Sequence, residues 1–304
     1  MKQILLGGKL PVSAVAMGCM RLTDAKDGAD RAIETALELG VDYFDHADIY
    51  GGGRCEEVFG DWLAAHASMR DQIKIQTKCG IRKGFFDFSK AHIISAVEGS
   101  LKRLRTEYVD ALLLHRPDTL MEPEEVAEAF DALEQAGKVR YFGVSNHNPM
   151  QIELLKTAVR QPLIADQLQF SIPESGLVTS GLNVNMKNDE SVVHDGSALE
   201  YLRVKGITIQ AWSPFQQGFF KGPFIGDRTH FPALNDTLDA LAAQYGVTPT
   251  GIAAAWILRH PAKIQLISGS VSPERMREIA AGAEITLTRE EWYAVYRAAG
   301  FRLP

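Results

Sequence analysis

Cysteine is scarce: Cys19, Cys55 and Cys79 are the only three in 304 residues, and no two stand in a CxxC pair. An odd count without paired spacing excludes a disulfide framework and a zinc cluster and points to a reducing compartment. A basic excess is missing too. The 32 Lys and Arg residues are outnumbered by 38 Asp and Glu, and a net charge of −6 leaves no concentrated cationic face for a nucleic-acid backbone. No stretch reaches the roughly 18 apolar residues that mark a membrane span. Residues 1–15 hold Gly7, Gly8, Lys9 and Pro11 where a secretory leader needs an apolar core. Low-complexity tracts are absent, which excludes disorder, collagen and a coiled-coil rod. What is left is a folded, cytoplasmic protein, expected to be a monomer or at most a weak homo-oligomer, with small molecules as partners and neither nucleic acid nor membrane.

What is present is an alternation of short apolar runs and amphipathic stretches. Residues 4–6, the Gly7-Gly8 pair and residues 9–12 read first as a hairpin, since two glycines supply the positive φ angles of a tight turn. Strands are then expected at 15–17, 43–45, 73–78, 111–114, 141–144, 164–169, 208–212 and 264–267. Helices are expected at 29–39, 56–65, 89–104, 124–135, 150–159, 197–205, 250–259 and 273–281. Eight βα units demand a parallel sheet with right-handed crossovers, and eight is the number that closes a barrel without an edge. The expectation is an α/β protein, a (β/α)8 TIM barrel forming one domain over residues 1–304. An open doubly wound sheet would offer a Gly-rich turn directly after a strand, and no G-x-G-x-x-G occurs. Residues 236–245 and 288–299 add two helices outside the barrel, the second opened by Thr288 with Glu291 in capping-box spacing. The stretches 170–196 and 214–230 exceed ordinary βα loops, and at the carboxyl face of a barrel they read as lids or binding loops.

Residues just past the carboxyl ends of barrel strands converge on one basin. Asp45, followed by His46, Asp48 and Tyr50, stands at the second strand's end, Lys78 at the third, His115 at the fourth and Ser145-Asn146 at the fifth, while Gln167 lies in the sixth. A lysine ammonium beside a phenol stabilises phenolate and lowers a pKa that starts near 10. A buried carboxylate balances and orients such a lysine, and a histidine across the pocket orients a carbonyl or relays a proton. Asp45, Tyr50, Lys78 and His115 together therefore read as an acid-base device. His46 reads as a loop or packing residue.

The segments that carry these residues also carry a family likeness: FDHADIYGGG over 44–53, QTK ending at Lys78, LLLHRPD over 112–118, GKVRYFGVSN over 137–146, WSP over 212–214 and SGSVSPER over 268–275. In this order and spacing the chain resembles the aldo-keto reductase superfamily, in its bacterial NADPH-dependent form, over nearly its whole length. The resemblance implies reduction of an aldehyde or ketone to the alcohol, with Tyr50 as general acid, Asp45 and Lys78 tuning its acidity and His115 orienting the carbonyl. The family motif sets the carboxylate five residues before the tyrosine, as Asp45 is; Asp48 stands three too late.

The resemblance further implies NADPH, held without a Rossmann domain. Ser145, Asn146 and Gln167 would hydrogen-bond the nicotinamide carboxamide, and Trp212, followed by Ser213 and Pro214, would stack on the ring. The loop with Gln216, Gly218 and Lys221 would cover the pyrophosphate. Ser272-Pro273 reads as a helix start, and Ser270 with Arg275 resembles the family's site for the adenosine 2′-phosphate, which favours NADP over NAD. Gly269 and Ile279 replace the lysine and asparagine common there, so a weaker phosphate preference is expected, and Asp166 replaces a frequent asparagine before Gln167. The expected pocket walls are the 170–196 loop, one or more of Phe85, Phe86 and Phe88, Met20, and aromatic residues such as Phe215 and Phe219. The chain stops at Pro304 soon after its last helix, from which a wide, permissive pocket is expected.

Two other classes compete. A cofactor-bound, redox-sensing regulatory subunit with little turnover would keep the dinucleotide site, but the intact set Asp45, Tyr50, Lys78 and His115 speaks against a loss of catalysis. A metal-dependent hydrolase using Asp45, His46, Asp48 and His115 would place a divalent ion beside Lys78, and the first strand lacks an HxH pair. No metal site is expected.

Overall fold

The computed structural model describes residues 1–26, 28–218 and 221–303, so Phe219 lies outside the described residues. The chain opens on an antiparallel hairpin, β1 (Gln3–Leu6) and β2 (Leu10–Ser13). Next come β3 (Val15–Gly18), β4 (Tyr43–Asp45) and β5 (Lys74–Cys79), then a small second hairpin, β6 (Ile81–Arg82) and β7 (Phe85–Phe86). The later strands are β8 (Val109–Leu114), β9 (Val139–Ser145), β10 (Leu163–Gln169), β11 (Thr208–Trp212) and β12 (Gln265–Ser268). Outside both hairpins, eight strands among the described residues pair in parallel in chain order, until β12 returns to β3 and closes the barrel. Strands covered on both faces need apolar residues at nearly every position, and β8, Val-Asp-Ala-Leu-Leu-Leu, is buried throughout.

The helices are α1 (Ala29–Glu38), α2 (Arg54–Ala65), α3 (Lys90–Leu104), α4 (Pro123–Gln135) and α5 (Pro149–Lys156). They continue as α6 (Gly176–Leu182), α7 (Ala198–Lys205), α8 (Pro232–Tyr245), α9 (Pro249–Leu258), α10 (Pro273–Ala283) and α11 (Arg289–Ala298). Proline opens α4, α5, α8, α9 and α10, where the missing N–H has no intrahelical partner to lose. Thr288 and Glu291 form the expected capping box of α11. No helix among the described residues is long and apolar enough to cross a membrane.

The first hairpin seals the amino-terminal end of the barrel. Leu6, Leu10 and Val12 pack with Ala16, Tyr43, Ala111, Leu113 and Ile164 as a separate apolar cluster. Gly7 sits at φ +56° against the start of β10, where a Cβ would lie 2.6 Å from the Cα of Ile164. The added helix α11 packs against the barrel helix α9. Trp256 on α9 and Trp292 on α11 stack with centroids 4.7 Å apart, and each indole N–H donates to the other's carbonyl at 3.0 Å.

One expectation needs correction and a second is narrowed. The start of the 170–196 stretch is no lid: Phe170 and Ile172 are in the core, and α6 is anchored through Thr179, which accepts from the Tyr296 hydroxyl at 3.1 Å. The physical reason is apolar burial, since Leu177 and Val178 need the same cover as any core residue. Phe88 is also a core residue rather than a pocket wall, lying under Gly80, whereas Phe85 and Phe86 are exposed on the small hairpin that follows β5. That hairpin and α6 have apolar runs too short for periodicity to reveal.

Close helix packing gives a stability prediction. A Cβ on Gly282 of α10 would come within 2.0 Å of the Gly251 carbonyl oxygen on α9, so Gly282→Ala must push two helices apart. Overpacking of this kind costs about 1–3 kcal/mol, and backbone on both sides puts this site at the upper end. A urea midpoint that does not fall would contradict the close approach.

Candidate active site

Side chains alternate along a strand, so Tyr43 and Asp45 on β4 face one way, as do Gln76 and Lys78 on β5. The Lys78 ammonium, 0% exposed, is the centre of the site. It lies 2.7 Å from Oδ1 and 2.9 Å from Oδ2 of Asp45, donates to the His46 carbonyl at 2.8 Å, and donates to Tyr50 Oη at 3.0 Å. An ammonium has three N–H groups, and these partners take all three. Tyr50 Oη accepts from Lys78, so its own proton is directed elsewhere. The ring of His115 stands edge-on to Tyr50, with centroids 5.9 Å apart. The four residues expected to form an acid-base device are thus gathered in one place.

Their electrostatics amend one expectation. Burial pushes the Tyr50 phenol up by more than the Lys78 charge pulls it down, so the net direction is above its ordinary value. Lowering by Lys78 is real but outweighed by the burial of the phenol. Tyr50 is therefore protonated at neutral pH, the form an acid requires. Burial opposes the charge on Lys78, but the Asp45 and Tyr50 partners hold it above its ordinary value. Burial, then the charges of Lys78 and Arg116, drive His115 well below the histidine range, which makes it a neutral imidazole. His46 is fully buried with its ring edge against Phe59, 4.6 Å between centroids, and burial pushes it down to about 3, as befits a packing residue. Asp48 is outside the cluster: burial and the nearby Glu56 push it up to about 7.

A second group lies beside the first. Ser145 Oγ donates to the Gln167 carbonyl at 3.0 Å, Asn146 Nδ2 donates to Ser145 Oγ at 2.7 Å, and Trp212 Nε1 donates to Asn146 Oδ1 at 3.1 Å. Asn146 and Ser213, directly after β9 and β11, both adopt left-handed backbone, φ +60° and +51°. Such conformations cost about 1–3 kcal/mol each and cluster at functional sites. Gln167 Nε2 donates to Asp45 Oδ1 at 3.0 Å, and its Oε1 accepts no hydrogen bond among the described residues. Asp166 points to the other face of β10, fully buried, so it does not line this group. Arg116 lies over the Trp212 ring, 5.6 Å from its centroid, a neighbour that motif reading does not single out.

The remaining expected residues are spread along the rim. Pro214 and Gly218 are buried, Gln216 is half-buried with its carbonyl accepting from Ser171 Oγ at 2.7 Å, and Lys221 is exposed. At the start of α10, Ser272 Oγ accepts from the Arg275 amide and Ser270 Oγ from the Ser272 amide. Arg275 is exposed and forms no ion pair among the described residues, so a helix start and a guanidinium stand available to an anion. Ile279 is fully buried in the core and offers an adenine ring nothing polar. Among the described residues, no three His, Cys, Asp or Glu side chains converge as metal ligands.

Residues 14–299 match the aldo/keto reductase family. The chain is 35% identical over 314 residues to a 6-dehydroglucose reductase of Agrobacterium fabrum, covering 98% of each. It is 35% identical over 305 residues to the oxidoreductase YdhF of Escherichia coli, covering 96% of this chain and 95% of that one. Among solved structures, an aldo-keto reductase from Klebsiella pneumoniae in complex with NADPH matches with a TM-score of 0.78 at 23% identity, over 100% of this chain and 96% of that one. At that identity the structural likeness speaks for the barrel alone, while the sequence matches speak for descent. The chain belongs to the aldo/keto reductase family.

Proposed function

We propose that the protein reduces aldehydes or ketones to alcohols with NADPH, Tyr50 acting as the general acid. The observation that carries this reading is the use of all three Lys78 donors, which leaves the Tyr50 proton for the pocket. NADPH, when bound, supplies the hydride, which no side chain here can provide. As charge develops on the carbonyl oxygen, Tyr50 gives up its proton, the Lys78 ammonium stabilises the phenolate left behind, and Asp45 holds Lys78 in place. His115, neutral, orients the carbonyl oxygen. The names of the Agrobacterium and Escherichia relatives support an oxidoreductase. The intact Asp45–Lys78–Tyr50 contacts favour turnover over a regulatory, cofactor-sensing role.

Residues that fit NADPH are Trp212 for the ring, Ser145, Asn146 and Gln167 Oε1 for the carboxamide, Ser213, Pro214, Gln216, Gly218 and Lys221 for the pyrophosphate, and Ser270 with Arg275 for the 2′-phosphate. The same reading takes the chain as one cytoplasmic barrel domain. Turnover of NADPH across a panel of aldehydes, ketones, sugars and quinones tests it; tight NADPH binding with no turnover on any of them would favour the regulatory role. Arg275→Ala should weaken NADPH by about tenfold, the scale of one charge-assisted contact, and NADH far less. Equal losses for both would remove Arg275 from the phosphate site.

A further inference from the structure

Beneath the site, three fully buried glutamines run down the inside of the barrel: Gln76 on β5, Gln210 on β11 and Gln265 on β12. Strand register sets Asp45 beside Gln76, Gln167 beside Gln210, and Gln210 beside Gln265. Gln76 Nε2 donates to Asp45 Oδ1 and, at 3.0 Å, to Gln210 Oε1. Its Oε1 accepts from Tyr43 Oη at 2.8 Å and from Gln210 Nε2 at 3.1 Å. Gln210 Nε2 also donates to Gln265 Oε1 at 2.8 Å, and Gln265 Nε2 donates to the Ser13 carbonyl at 2.9 Å, which ties the network to the floor hairpin.

The polarity of this network is fixed at both ends, by the Asp45 carboxylate above and the Ser13 carbonyl below, neither of which can donate. An ionised carboxylate only accepts, so Asp45 requires nitrogen from each amide that faces it, Gln76 and Gln167 alike. That choice agrees with the orientation the Ser13 carbonyl imposes on Gln265 from below. It also turns Gln167 Oε1 away from Asp45. Buried networks with every donor and acceptor used hold their members in one geometry, and Gln76, with four bonds, has no freedom left.

We propose that Gln76 is a positioning residue that holds the Asp45 carboxylate, and through it the Lys78 ammonium, in the geometry that directs the Tyr50 proton into the pocket. This rests on the reading of Tyr50 as proton donor. Without the Gln76 N–H, Asp45 draws harder on Lys78, less of the ammonium's field reaches Tyr50, and the phenol becomes a weaker acid. The titratable groups that face Tyr50 are Lys78 on β5, Asp45 on β4, Cys19 after β3, and His115 and Arg116 after β8. Gln76→Met changes none of them. A merely structural glutamine would lower the melting temperature and leave the pH profile in place.

The test compares Gln76→Met with Gln265→Met, which cuts the same network at its far end. The measurements are kcat/KM for carbonyl reduction against pH, NADPH affinity by fluorescence, and melting temperature. For Gln76→Met, kcat falls about tenfold and the alkaline limb moves up by roughly one pH unit, with NADPH affinity nearly unchanged. Gln265→Met keeps the wild-type limb. A folded Gln76→Met protein with wild-type kcat and an unmoved limb overturns the proposal, as does an equal shift in Gln265→Met. If Gln76→Met does not fold, Tyr43→Phe removes only the hydroxyl that holds the Gln76 oxygen and should move the limb the same way by less; an unmoved limb there overturns the proposal too. Tyr50→Phe separates the two failures. Turnover retained in Tyr50→Phe sinks the reading of the site, whereas a dead Tyr50→Phe beside an unmoved Gln76→Met limb sinks only the role of Gln76.

Discussion

Tyr50→Phe is expected to lower kcat/KM for carbonyl reduction by roughly 10²- to 10⁴-fold, the range that a positioned general acid contributes. The substitution removes one oxygen and almost no volume, so the ring keeps its edge contact with His115 and the pocket keeps its shape. What it takes away is the pocket-directed proton and the acceptor for one Lys78 N–H. NADPH affinity should stay near wild type, because the groups proposed to hold the cofactor lie on β9, β10, β11 and α10. Steady-state kinetics and cofactor fluorescence check the two halves separately. Undiminished turnover would show that another group delivers the proton.

Asp166→Asn should stabilise the fold, and more so as pH rises. Both carboxyl oxygens of Asp166 are buried and neither meets a donor in good hydrogen-bond geometry, so burial pushes the group up to about 8, and the nearby backbone N–H groups of His147 and Asn146 offset only part of this. In the unfolded chain the same carboxyl ionises near its ordinary 3.8. Between these values folding requires proton uptake, so stability is greatest below the lower value and is lost by about 1.4 kcal/mol per pH unit up to the higher one. Asparagine cannot ionise and so removes the slope. The variant should exceed wild type by a few kcal/mol at pH 8, an order-of-magnitude figure, and show no gain near pH 4. Chemical denaturation at both pH values measures this; a gain that is the same at both would mean Asp166 does not titrate across this window.

Much of this was legible in the residues. Eight apolar runs with helical stretches between them specify a closed parallel barrel, and the strand ends carry Asp45, Lys78, His115 and Ser145 because alternation and the barrel's geometry bring those positions to one mouth. Tyr50 lies beyond a strand, in a Gly-rich turn, and only its motif marks it. The inner network is harder to read from sequence, because a glutamine in an apolar strand looks like a tolerated exception. Its signal is parity: Gln76 stands two residues before Lys78 and Gln210 two before Trp212, each on the same face as a site residue. The opposite parity explains Asp166, which stands one residue before Gln167 and therefore points to the other face of the strand. Anchoring of the 170–182 segment depends on α6 meeting Tyr296, more than a hundred residues away in the chain, and no local pattern encodes that contact.

Carbonyl reduction in this barrel is proposed to draw its hydride from NADPH. Its most direct test is transfer of label from NADPH deuterated at C4 of the nicotinamide, prepared separately on each face, with mass spectrometry of the alcohol product. One deuterium is expected at the carbinol carbon from one of the two labelled forms only, and the same labelled alcohol at a roughly 10²- to 10⁴-fold lower rate with Tyr50→Phe. Alcohol formed without label from both forms, or NADPH consumed with no alcohol, would contradict it.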